Sequence, residues 1–123
     1  VTRLRLEAKL AGLKGEHARA VELCEEALRL DPLEGHCLLL HAELLQSAQR
    51  WEEAVMACER AARLPGFESD ALVRQALIEV GRARYGDAIQ LLEAAQAVKE
   101  QPHVARYIEQ LRSTTSRAAA LGP

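Results

Sequence analysis

Three cysteines and three histidines sit close enough along the chain to raise the question of chemistry. Cys37 and His41 are four residues apart, so on a helix they share one face, and His36 adjoins them. A helical i, i+4 pair can hold a metal, but a tight site needs three or four ligands, and no second cluster of matching spacing exists. Cys37 therefore reads as a small packed residue and His41 as a hydrogen-bonded one. Cys24 and Cys58 stand 34 residues apart within helical patterns, where buried, inert thiols are expected. No G-x-S-x-G, G-x-x-x-x-G-K-[ST] or H-E-x-x-H motif occurs. No catalytic residue, cofactor site or metal site is expected, and the chain does not read as an enzyme.

Composition narrows the classes further. The formal charge is -2 over 123 residues, which gives no basic field to recruit nucleic acid. No apolar run approaches the ~20 residues that span a bilayer, so no membrane insertion is expected. An odd number of cysteines placed inside helical patterns speaks against a disulfide framework and for a reducing, cytoplasmic setting. Hydrophobic residues make up 49% of the chain but aromatics only 3%, so Ala and Leu must supply the core, a helix-rich composition. The chain lacks an initial Met and is already helical in pattern at Val1 to Leu4, which reads as a fragment of a longer protein.

The elements that would position these residues recur with a fixed period. Ala20, Ala54 and Ala88 are spaced by 34, and so are Ala27, Ala61 and Ala95, Ala8, Ala42 and Ala76, and Leu4, Leu38 and Leu72. A period of this size marks a stacked repeat array that buries its core between neighbouring units. Residues 1–34, 35–68 and 69–102 each read as helix, short turn, helix. Gly15 punctuates the first pair, Asp31-Pro32 closes it, Leu64-Pro65-Gly66 closes the second, and Ser69-Asp70 reads as a capped helix start. Leu4, Ala8 and Ala11, with Leu10 beside them, mark a buried stripe on the first helix. Val104, Tyr107, Ile108 and Leu111 predict a terminal helix over 103–118 that covers the last repeat, with a frayed tail at 119–123.

These residues resemble the tetratricopeptide repeat. The resemblance covers Val1 to Pro102 and rests on Ala8, Ala20, Ala27 and Pro32, then Ala42, Ala54 and Ala61, then Ala76, Ala88 and Ala95. Trp51 and Tyr85 fill the aromatic place before the second-helix alanine, and His17 stands in for it in the first repeat. Glu7, His41 and Gln75 depart from the large apolar residue usual at their position, as do Ala11, Leu45 and Glu79 from the usual tyrosine. The resemblance implies an all-α fold, an α-solenoid in which antiparallel helix pairs form a right-handed superhelix. It also implies a concave groove, lined by the first helices, that takes a protein or peptide partner.

By the same resemblance, Arg5, Lys9, Leu39, Leu40, Glu43, Val73, Arg74 and Leu77 face that groove. In co-chaperone members the groove grips a C-terminal carboxylate with basic residues and asparagines. Arg5 and Arg74 match two of those basic places, but Lys9 and Leu40 stand where asparagines belong and Asp70 where a lysine does. The apolar stripe of Leu39, Leu40, Val73 and Leu77 points instead to an apolar or amphipathic segment of a partner or client. That resembles the client-holding arms of DnaJ-type and other co-chaperones. The stripe is open, or the terminal helix folds into it, or helix rotation turns part of it into the core. The alternative functions are a self-associating or intramolecular scaffold and the targeting domain of a larger enzyme. The sequence leaves the oligomeric state and the partner's identity open.

Overall fold

The computed structural model describes residues 1–121, and all of its regular structure is helical: α1 (Thr2–Leu13), α2 (His17–Leu30), α3 (Gly35–Ser47), α4 (Trp51–Ala62), α5 (Glu68–Gly81), α6 (Tyr85–Val98) and α7 (Pro102–Ala120). Short connections between helices that pack on one another make consecutive helices antiparallel. α1 packs on α2 and α3, α3 on α4 and α5, and α6 on α7, so the first helices of successive pairs lie side by side.

The recurrent alanines explain why the helices can pack this way. Ala8, Ala20 and Ala27, and their counterparts at 42, 54, 61, 76, 88 and 95, are all completely inaccessible to solvent. A methyl group is the largest side chain that lets two helix backbones approach at those crossings. Larger residues fill the spaces between. Leu45, Cys24 and Cys58 join the first and second pairs in one cluster, which Ile78 of α5 extends to the third. Leu38, Cys37 and Leu28 form a second cluster nearer the other end of those helices. Val104, Ile108 and Leu111 of α7 close a third over Ala76, Ala88 and Leu92.

The turns inside each pair are built alike. The N–H groups of Gly15 and Glu16 donate to the carbonyls of Gly12 and Ala11. Gln49 and Arg50 do the same to Gln46 and Leu45, and Ala83 and Arg84 to Val80 and Glu79. This is the paired bonding that closes a helix through one left-handed residue. That residue is Gly15 at φ 82°, Gln49 at φ 60° and Ala83 at φ 61°, again one period apart. Between pairs the geometry is looser. Asp31 is extended and its side chain accepts from the N–H of Leu33, while Glu34 caps α3 by accepting from the N–H of Cys37 at 2.7 Å. Gly35 is obligatory there: a Cβ on it would lie 2.5 Å from the Phe67 ring.

Three sequence expectations change. Ser69 does not cap α5, which starts at Glu68; Ser69 is buried instead, and its hydroxyl accepts from Gln101 Nε2 at 3.2 Å. α7 begins at Pro102, where a missing N–H costs nothing at a helix start, and extends to Ala120. The expected tail beyond 121 lies outside the described residues. Leu10 is 53% exposed and does not belong to the buried stripe of α1.

Candidate functional site

The first-helix face carries three depressions that share walls and so form one groove. The central one, about 320 Å³, is lined by Arg5, Leu6, Lys9 of α1, His36, Leu39, Leu40 and Glu43 of α3, and Arg74 of α5. A second, about 280 Å³, continues from Leu39 and Arg74 to Asp70, Val73 and Leu77, and ends against Gln101 and His103 at the start of α7. A third, about 190 Å³, runs the other way from Lys9, Leu40 and Glu43 to Leu13, His17 and Ser47. Every residue that sequence reasoning placed in the groove lines at least one of them. α7 touches this surface only at its first turn, so the groove is not filled by the terminal helix.

The apolar floor is shared between groove and core. Leu39, Leu40, Val73 and Leu77 are each half-buried. Leu40 leans on the first core cluster, Leu39 on the second and Val73 on the third, while each keeps part of its surface open. The groove is therefore floored by anchored side chains, which lose little freedom when a ligand covers them.

Charges rim this floor in opposing pairs. Arg5 Nη1 stands 3.7 Å from Glu34 Oε1, and Arg74 Nη2 stands 4.0 Å from Glu43 Oε2. Partial burial would push the Glu34 carboxyl up, but the hydrogen bonds from Cys37 and the charges of Arg5 and His36 outweigh it and hold its pKa below the usual 4.5. Lys9 is exposed and has no ion-pair partner among the described residues. The two arginines that suited a carboxylate clamp thus already face carboxylates of the chain itself, and Asp70 adds a negative charge beside them. Each guanidinium still has donors to spare.

Sequence reasoning missed His36, Gln101 and His103 as groove walls. His36 is seen to be one only once its ring packs edge-on against Phe67, centroids 5.0 Å apart. Gln101 and His103 enter only because α7 turns back at Pro102. The cysteine and histidine readings resolve differently. Burial pushes the thiols of Cys24, Cys37 and Cys58 up to about 12, with Glu34 adding to the effect at Cys37, so none supplies a thiolate at neutral pH. His41 is not the hydrogen-bonded residue expected. Both of its ring nitrogens are buried without a hydrogen-bond partner among the described residues. Among the described residues, no three His, Cys, Asp or Glu side chains gather as a metal site would require.

Comparison with known proteins places this architecture. No protein-family model matches the sequence, and no curated protein does either. Solved structures do match. The yeast Sti1 TPR2B domain, solved as a complex with pHsp70, is 27% identical, with a TM-score of 0.78 over 94% of this chain and 95% of that one. The N-terminal domain of stress-induced protein-1 from C. elegans has a TM-score of 0.77 at 16% identity, covering 90% and 93%. The TPR domain of Arabidopsis OM64 reaches 0.79 at 18% identity, covering 92% and 94%. The chain has the fold of a tetratricopeptide-repeat domain. The tetratricopeptide reading accounts for the period of 34, the small residues at the crossings and the open face of first helices. Such domains are protein-interaction modules, and no helix here is long and apolar enough to cross a membrane.

Proposed function

We propose that the concave groove binds an apolar or amphipathic segment of a partner or client protein, in the manner of a co-chaperone or assembly adaptor. The observation that carries this reading is the continuous floor of Leu39, Leu40, Val73 and Leu77, the first three anchored on the core and all four open, with Arg5, Lys9 and Arg74 beside it. An exposed apolar concavity of this kind marks a binding surface. Yeast Sti1 TPR2B, which was solved with pHsp70, supports peptide capture by this fold. Against a carboxylate clamp stand the prior engagement of Arg5 and Arg74, the leucine at 40 and the aspartate at 70. Such an apolar groove also resembles the client-holding arms of DnaJ-type co-chaperones.

The test is fluorescence anisotropy with three labelled peptides of equal length, carrying leucines with glutamates, leucines with lysines, or serines throughout. The leucine–glutamate peptide should bind best and the serine peptide not at all. Combining Leu40→Asp with Leu77→Asp should weaken the leucine–glutamate peptide at least about tenfold, since two apolar contacts are removed and like charges added. Equal binding by the double variant, with unchanged helicity, would remove the groove from the mechanism.

A further inference from the structure

Ion pairs within the chain occupy most of the charges along the groove, and the two left over stand on different helices. Arg5 faces Glu34 at 3.7 Å and Arg74 faces Glu43 at 4.0 Å. Lys9 of α1 and Asp70 of α5 are exposed groove walls, and neither has an ion-pair partner among the described residues. Glu43 borders the same two depressions as Lys9, but its carboxylate pairs with Arg74. Arg74 follows Asp70 by about one turn of α5, yet it reaches across to α3 instead.

The apolar floor joins these two charges. Leu40 borders the depressions that Lys9 lines, and Leu39, Val73 and Leu77 border the one that Asp70 lines. α1, α3 and α5 lie side by side, so α1 and α5 are two helix spacings apart, about 16–20 Å. Asp70 also lies seven residues before Leu77, the counterpart of Lys9 two periods on. At ~1.5 Å per residue this adds an offset of about 10 Å along the helices. The two charges are thus about 19–23 Å apart on the diagonal, which an extended chain covers in about six or seven residues.

From this we infer that the groove selects a partner segment whose charges are ordered along it. An acidic side chain at one end is set on Lys9 and a basic side chain at the other on Asp70. Apolar residues between them cover Leu39, Leu40, Val73 and Leu77. The inference rests on the groove binding proposed above and adds the charge order of the bound segment to it. Opposite charges at the two ends also fix the segment's direction, because reversing it brings like charges together.

The experiment is fluorescence anisotropy at low salt with three peptides of equal length, acetylated and amidated so that no terminal charge contributes. All share one leucine-rich centre. The first carries glutamate at one end and lysine at the other, about six or seven residues apart. The second carries glutamate at both ends and the third lysine at both. The wild type should prefer the glutamate–lysine peptide to either of the others by about three- to fivefold, the scale that exposed ion pairs supply. Salt at about 0.5 M should erase that preference. Asp70→Lys should shift the preference to the glutamate-flanked peptide, and Lys9→Glu to the lysine-flanked one. The double reversal Lys9→Glu with Asp70→Lys should return it to the glutamate–lysine peptide. Both residues are exposed, so helicity should be unchanged in every variant. A wild type that binds all three peptides equally, or prefers another of them, overturns the charge order and leaves the groove binding standing. Single variants that keep the wild-type preference overturn it as well. A wild type that binds none of the three overturns both.

Discussion

At single residues, the period assigns the same backbone job to side chains of unequal fitness. Gly15, Gln49 and Ala83 all hold positive φ at the turn of their helix pair. The left-handed conformation costs an L-residue ~1–2 kcal/mol, and glycine escapes that cost because it has no Cβ. Ala83→Gly should therefore stabilise the domain by about 0.5–1 kcal/mol, the strain relieved less the extra entropy of an unfolded glycine. Gly15→Ala should destabilise by a similar amount. A Cβ at Gly15 meets nothing within 4 Å, so that loss would be conformational alone. Urea denaturation of both variants checks the sign, and equal midpoints would contradict the assigned backbone cause. His41 offers a second prediction at this scale. Burial lowers its pKa below 6.5, with Glu25 and Glu53 opposing and Arg50 and Arg60 adding to the shift. The folded state then binds fewer protons than the unfolded chain as pH falls through 6.5. This contribution to stability is fully present above about pH 6.5 and is lost below it. His41→Leu should flatten the decline in urea midpoint between about pH 7 and pH 5. Parallel declines for the two proteins would mean that His41 does not titrate differently on folding.

Helices carry the consequence of the alanine rule. Ala54 is completely inaccessible, in the cluster that joins the first and second pairs. Ala54→Leu must push helices apart or force a strained rotamer, at a cost of about 1–3 kcal/mol. Thermal melting measures this, and an unchanged melting temperature would contradict the register on which the groove residues depend. That register was legible because small residues at crossings are set by backbone approach, which leaves the same mark in every repeat. The groove residues were legible for the same reason, since fixing the crossings fixes the opposite face of each first helix. Other features depended on neighbours remote in sequence. Ser69 looked like a cap because its type and place suited one; only the return of Gln101 at the start of α7 gives its hydroxyl another role. His41 looked satisfied because polar residues in a core usually are.

For the whole molecule, α7 lays Val104, Ile108 and Leu111 over the third cluster and turns arginine and glutamate outward, with Arg112 bridging Glu93 of α6 at 2.7 Å. In a stacked array, stability is close to a sum of unit and neighbour terms, so a unit that loses its outer neighbour need not take the rest with it. α7 packs on α6, while the first two pairs share a core to which the third pair adds Ile78 and Ala71 of α5. Combining Val104→Asp with Ile108→Asp should therefore release α7 and weaken the third pair first. Two buried aliphatic contacts are lost and two carboxylates are set against an apolar face, about 4 kcal/mol or more by the usual cost of each such change. Circular dichroism should show an early loss of part of the helix signal, followed by a second transition near the wild-type midpoint. Trp51 packs on the first cluster and its ring also lies against Gly81 of α5, so its fluorescence should complete its change only in that second transition. A single transition in which Trp51 fluorescence and helicity fall together would mean that the end cap and the first two pairs fold as one cooperative unit.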